Sequence, residues 1–246
     1  MNLPKYGQSP IDLDNSIVHA VKYPPLILNG YWLNEGEATL TNNGTTAMVT
    51  LSGDRIPSTI TGGPLFNEEY ELHNAHFHWG KENCNGAEHT INGTWFSMEA
   101  HCLHWNRKYL TFEDAEKHKD GLVKLGYFFL VNGNNEWDNP MLQKITDNLM
   151  YIVEANSEVK IPANSLCWVR EALHSPGYYV YYGSRTTWPF KEGIIWIIFP
   201  IILSVSANQM DAFRKLKNGE GKCILSNCRC IQLLRGRKIF WALNSM

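Results

Sequence analysis

Short runs of aromatic and β-branched residues, each closed by turn-forming residues, constrain this chain more than any other feature. Gly177-Tyr-Tyr-Val-Tyr-Tyr-Gly183 is such a run, and side chains of this kind pack on a pleated surface better than on a helix. Gly193 to Phe199 is continuously apolar ahead of Pro200, as in a strand buried on both faces, and Leu125 to Val131 is similar. Only two stretches carry helical signals. Asn139-Pro140 offers an N-cap followed by proline in the first turn, and Met141, Leu142, Ile145, Leu149 and Ile152 then form a helical stripe. Ser206 and Gln209 have the spacing of a capping box, with Met210 and Phe213 behind them. The expectation is a large, mostly β architecture with short peripheral helices. No internal repeat or linker divides it, so residues 1–246 read as a single domain.

Composition excludes several classes of function. Lysine and arginine number 22 against 24 acids, a net charge of −2, so there is no global electrostatic reason to expect nucleic acid or an anionic membrane as partner. Hydrophobic residues make up 44%, enough for a sizeable core and too many for a disordered chain. The longest apolar run, Gly193 to Leu203, is too short to span a bilayer and contains Pro200. The opening Met1-Asn-Leu-Pro-Lys-Tyr-Gly7 lacks the apolar core of a secretory signal. The six cysteines therefore read as reduced thiols in a cytoplasmic chain, with secretion the alternative if the N-terminus is truncated. Cys223, Cys228 and Cys230 cluster, but three thiols lack the fourth ligand of a structural metal site and read as free.

The chemistry concentrates in Asn74-Ala-His76-Phe-His78-Trp-Gly80. On a strand, residues two apart share a face, so His76 and His78 present two imidazoles to one point. A second stretch, Glu88 through Glu99, His101 and His104, contains Asn92-Gly93, a strong hairpin signal, although a strand further along the chain serves equally to lie beside the first. His101 would complete a set of three neutral nitrogens with one open position, the arrangement of catalytic zinc. Glu99, on the same strand face, can accept the outer N–H of His101. Two ordinary core or surface histidines remain the alternative reading of His-x-His alone.

These residues resemble the α-class carbonic anhydrases along nearly the whole chain. Gln8-Ser-Pro-Ile-Asp12, Asn42-Asn-Gly44, Gly62-Gly-Pro-Leu65, His76-Phe-His-Trp-Gly80, Gly86-Ala-Glu-His-Thr90, Glu99-Ala-His101, His104-Trp-Asn106, Ser184-Arg-Thr-Thr187, Ser204-Val-Ser206 and Phe213-Arg-Lys-Leu216 follow in family order. The resemblance implies a single domain around a large, mainly antiparallel central sheet. It implies reversible hydration of carbon dioxide to bicarbonate and a proton by zinc-bound hydroxide, with Zn2+ on His76, His78 and His101. It further implies Glu99 behind His101, Asn74 behind His76, and Thr186 orienting the hydroxide while donating to Glu88. Leu103, Lys124, Arg185, Thr187 and Trp196 would form the substrate pocket. The expected partner is carbon dioxide or bicarbonate, with no nucleic acid and no membrane span, acting on a monomer. His89 and His104 match structural histidines, while His19, His118 and His174 read as surface residues.

Several positions depart from the family pattern. Thr45 stands where the family carries a proton-shuttling histidine, and a hydroxyl cannot relay a proton by titrating near neutrality. Lys124 and Arg185 replace two aliphatic wall residues, and would either fill the pocket or snorkel outward. Asn74 is shorter than the usual glutamine, which leaves open whether it reaches His76. His73 is expected on the opposite strand face from His76 if the strand reaches it. Leu3 and Phe190 occupy the places where secreted members bridge two cysteines. The departures favour an attenuated enzyme. The alternative is a carbonic-anhydrase-related zinc module acting in binding with little or no catalysis.

Overall fold

The computed structural model describes residues 6–131 and 137–243; most of the opening segment, including Leu3, lies outside them. Strands dominate the chain. In its first half they are β1 (Asp12–Leu13), β2 (Val18–Val21), β3 (Ile27–Asn29), β4 (Glu37–Asn42), β5 (Ala47–Ser52), β6 (Thr59–Thr61), β7 (Tyr70–Trp79), β8 (Thr90–Ile91), β9 (Met98–Asn106) and β10 (Leu122–Leu130). In the second half are β11 (Ser157–Ile161), β12 (Gly177–Ser184), β13 (Glu192–Ser204) and β14 (Ile239–Leu243). Three short helices, α1 (Phe112–Ala115), α2 (Pro140–Thr146) and α3 (Ala207–Arg214), lie between them.

Twelve strands form one sheet whose main path runs β11-β4-β5-β7-β9-β10-β13-β12-β14-β2, with β3 and β6 attached beside β7. Pairing is antiparallel except at β10–β13 and β14–β2. This is the mostly β, mainly antiparallel architecture expected.

Alternation along the central strands separates two faces. Ala75, Phe77 and Trp79 of β7, Met98, Ala100 and Cys102 of β9, and Val123, Leu125, Tyr127 and Phe129 of β10 enter the larger core. The intervening positions face the other way. There β7 presents Asn74, His76 and His78, β9 presents Glu99, His101 and Leu103, and β10 presents Lys124 and Gly126. Buried polar groups thus gather on one face of an otherwise apolar sheet, next to a smaller core containing Leu103, Phe128 and Trp196.

Two local departures from expectation have clear causes. Strand β13 does not stop at Pro200. A register shift against β10 takes the pairing from Phe199 to Ile202, and the missing proline donor falls in that irregularity. The stripe from Met141 to Ile152 is not one helix: α2 ends at Thr146 and a separate 3₁₀ turn covers Leu149–Tyr151. The caps themselves are formed as the residues imply. Asn139 accepts from the Met141 backbone N–H, and Ser206 with Gln209 makes a complete capping box.

Candidate metal centre and active-site cleft

Strands β7 and β9 are neighbours, and their register sets His76 opposite His101 and His78 opposite Glu99. The Asn92-Gly93 turn does not join them. It lies in the excursion between the two strands, closed by an Ile91–Thr94 bridge. The ligand-capable nitrogens of His76, His78 and His101 all lie within 4.8 Å of one another, and all three residues are buried.

The tautomers follow from the outer contacts. His76 Nδ1 donates to Asn74 Oδ1 at 2.7 Å; the shorter asparagine does reach, because it sits two residues away on the same strand face. His78 Nδ1 donates to the carbonyl of Asn227 at 3.2 Å, and His101 Nε2 donates to Glu99 Oε1 at 2.7 Å. Each imidazole is thus pinned by its outer N–H, leaving a bare nitrogen inward. His78 Nε2 and His101 Nδ1 are buried without any hydrogen-bond partner. Buried acceptors are seldom left so, and a cation with a preference for nitrogen would satisfy them. Burial holds His76 and His101 well below the ordinary histidine pKa, so both stay neutral, as ligation requires.

Glu99 is the hub behind this set. Its two oxygens accept from the backbone N–H groups of Glu88 and His89 and from the rings of His89 and His101. Burial pushes its pKa up, but His89 and His101 outweigh that and hold it well below the usual carboxylate range. His89 reaches Tyr181 Oη with its other nitrogen, and His104 meets Tyr31 Oη. His89, Glu99 and His101 also lie close enough to resemble a metal site, but these hydrogen bonds already occupy their facing atoms. His19, His118 and His174 are exposed.

A cleft of about 750 Å³ opens over His76 and is lined by Thr45, Leu103, Lys124, Thr186 and Thr187 among others. Trp196 is fully buried beneath it. Thr186 and Glu88 are both buried, yet the expected bond between them is not made. Thr186 Oγ1 and Glu88 Oε2 each lack a partner, while Glu88 Oε1 is drawn to the backbone N–H of Arg229 at 2.9 Å. The two cationic wall positions behave differently. Arg185 turns aside to pair with Glu116 at 2.6 Å. Lys124 stays in, 2% exposed, paired in register with Leu103 and Trp196. Its Nζ lies 3.4 Å from His76 Nε2 and 5.3 Å from the Trp196 ring centroid. Burial draws its pKa down to about 8 against the pull of Glu88 and Glu99.

A family profile described as eukaryotic-type carbonic anhydrase matches residues 4–243. The chain belongs to that family. It is 33% identical to mouse (Mus musculus) carbonic anhydrase 7 and 34% identical to the human (Homo sapiens) carbonic anhydrase 7, in each case over 239 residues covering 94% of this chain and 87% of the relative.

Other residues of this carbonic anhydrase site carried no sequence signal. Asn227 supplies the carbonyl to His78, and its side chain accepts from Trp79 N and donates to Phe77 O. It lies on an irregular segment 149 residues from His78, with no periodicity to place it. His73 is the other surprise. A register shift between Leu72 and Asn74 leaves it outside the ladder. It therefore lines the cleft instead of facing away, stacked on Phe112 with centroids 3.7 Å apart. Trp188-Pro189 is cis. The cysteines of the described residues are all free, and Cys223, Cys228 and Cys230 form no candidate metal group among them. No helix among the described residues is long and apolar enough to cross a membrane.

Proposed function

We propose that this chain holds zinc on His76, His78 and His101 and interconverts carbon dioxide with bicarbonate and a proton, more slowly than a family member with an aliphatic pocket wall. One observation carries the reading: three converging imidazoles, each fixed by its outer N–H, with two inward nitrogens buried and unpartnered. Bound zinc supplies Lewis acidity, bringing the acidity constant of a water to about 7.

The chain's own residues do the rest. Asn74, Asn227 and Glu99 keep the ligand nitrogens aimed inward and unprotonated. A bond donated by Thr186 Oγ1 to Glu88 Oε2 would satisfy both orphaned atoms and turn the hydroxyl's lone pairs toward the centre, to orient the attacking oxygen. Leu103 and Trp196 provide apolar wall for carbon dioxide. Thr45 cannot titrate near neutrality, so the proton leaves directly to buffer. All of these groups come from one chain, so a monomer suffices. Six thiols, free throughout the described residues, suit a reducing compartment.

Lys124 favours a second reading, a zinc-binding module without turnover, because its stem and ammonium take up the wall where substrate would rest. Stopped-flow hydration assays on zinc-loaded protein separate the two. A rate above buffer, sensitive to Thr186→Ala, supports the enzyme; a rate no better than buffer with zinc demonstrably bound supports the module.

A further inference from the structure

We propose that Lys124 anchors a small-oxyanion site on the floor of the cleft, so that a planar monoanion of the bicarbonate type is held by the ammonium as well as by the metal centre. The proposal deepens the reading of this cleft as the reactive site and rests on it.

The starting observation is an uncompensated buried charge. Lys124 is 2% exposed and has three N–H donors, yet its one hydrogen-bond contact is the 3.4 Å approach to His76 Nε2. Among the described residues it forms no ion pair. Buried ammonium groups are costly unless paired and hydrogen-bonded.

The carboxylates that might have paired with it do not meet it, although Glu88 Oε2 is free to accept. Glu99 already accepts four hydrogen bonds, Glu88 Oε1 holds the Arg229 backbone N–H, and Glu116 pairs with Arg185. Glu88 and Glu99 act on Lys124 through space and Arg185 opposes them, but none of the three touches it. The Trp196 face, 5.3 Å away, offers a weak partner that cannot accept a directed bond. What remains is the cleft itself, which both Lys124 and the unpartnered Thr186 Oγ1 line.

An ammonium on a concave wall, beside three inward nitrogens suited to a divalent ion, suits a small planar anion with several acceptor oxygens. A neutral, linear substrate has no charge to give Lys124. The site therefore discriminates toward the bicarbonate side of the reaction and toward other planar monoanions. Hydration is slowed by retained anion, beyond any loss from crowding.

The test is calorimetric titration of wild type and Lys124→Met with sodium nitrate and with sodium bicarbonate at constant ionic strength, on zinc-loaded and on metal-free protein. Methionine keeps the length of the stem and removes the charge, and thermal melts check that the fold survives. Wild type is expected to bind both anions, and Lys124→Met to lose about tenfold or more in affinity. Equal affinities for the two proteins, or no binding by wild type in either metal state, would overturn the proposal. Nitrate cannot turn over, so a chain that binds it through Lys124 but fails to hydrate carbon dioxide refutes the enzymatic reading alone.

Discussion

At the scale of single residues, the centre depends on who holds the outer edge of each imidazole. Glu99→Gln leaves the volume intact but substitutes an amide nitrogen for one of two oxygens that each accept two hydrogen bonds. Zinc affinity should fall by about 10–100-fold, the usual cost of losing such a partner, as read by competition with a chelator. Lys124→Val should raise the hydration rate in stopped flow by removing both crowding and charge. Adding Arg185→Leu should contribute little more, since that guanidinium is already tied to Glu116. A gain that appears only in the double variant would mean the arginine, not the lysine, restricts the pocket. The two side chains look alike in sequence, and nothing there separates them. The difference lies in Glu116, which α1 positions beside Arg185 although 69 residues separate them in the chain.

At the scale of elements, local chemistry and register account for most of what could be read in advance. The capping box of α3 is self-contained, so Ser206 and Gln209 announce it. Ser206→Ala should cost about 1 kcal/mol of stability, measurable as a lower urea midpoint with an unchanged slope. Alternation likewise shows that His76 shares a face with His78, and Glu99 with His101, while the family resemblance is what puts Lys124 beside them. Register irregularities were not legible. The slip at His73 reverses the side that residue faces, and the slip near Pro200 lets β13 continue past a proline. Both depend on how a neighbouring strand pairs, which the residues themselves do not encode locally. The contact of Glu88 with Arg229 was not legible either: that backbone N–H, from a distant irregular segment, takes one carboxylate oxygen and leaves Oε2 for Thr186.

At the scale of the whole molecule, several imidazoles are buried in neutral form, and this sets how acid acts on the metal-free protein. Burial lowers the pKa of His104 to about 3 and holds His76 and His101 well below the ordinary value, whereas in the unfolded chain each titrates near about 6.5. Below that pH the unfolded state binds protons that the folded state does not. The stability these groups contribute is therefore complete above about pH 6.5 and is lost as pH falls, by up to about 1.4 kcal/mol per pH unit for each group. Glu99, depressed in the folded state, adds a loss in the same direction at lower pH. Urea unfolding of metal-free protein from about pH 7.5 down to about pH 5 should show a steadily falling midpoint, and zinc should raise the midpoint at every pH without flattening the curve, because metal-bound rings take up no protons while those of the unfolded chain do. A midpoint independent of pH without metal would show that these rings take up protons as readily in the fold as in the unfolded chain.

The segment that carries Asn227 and Arg229 has a further consequence for how such a protein is made. It steadies His78 and Glu88 from near the end of the chain, and β14 beyond it is wedged between β12 and β2. During translation His76, His78 and His101 emerge from the ribosome long before the segment that steadies His78 and Glu88. On the proposed reading, a nascent polypeptide halted ahead of Asn227 would carry all three proposed ligands but only part of their scaffolding, so firm zinc capture would be a late event in biosynthesis.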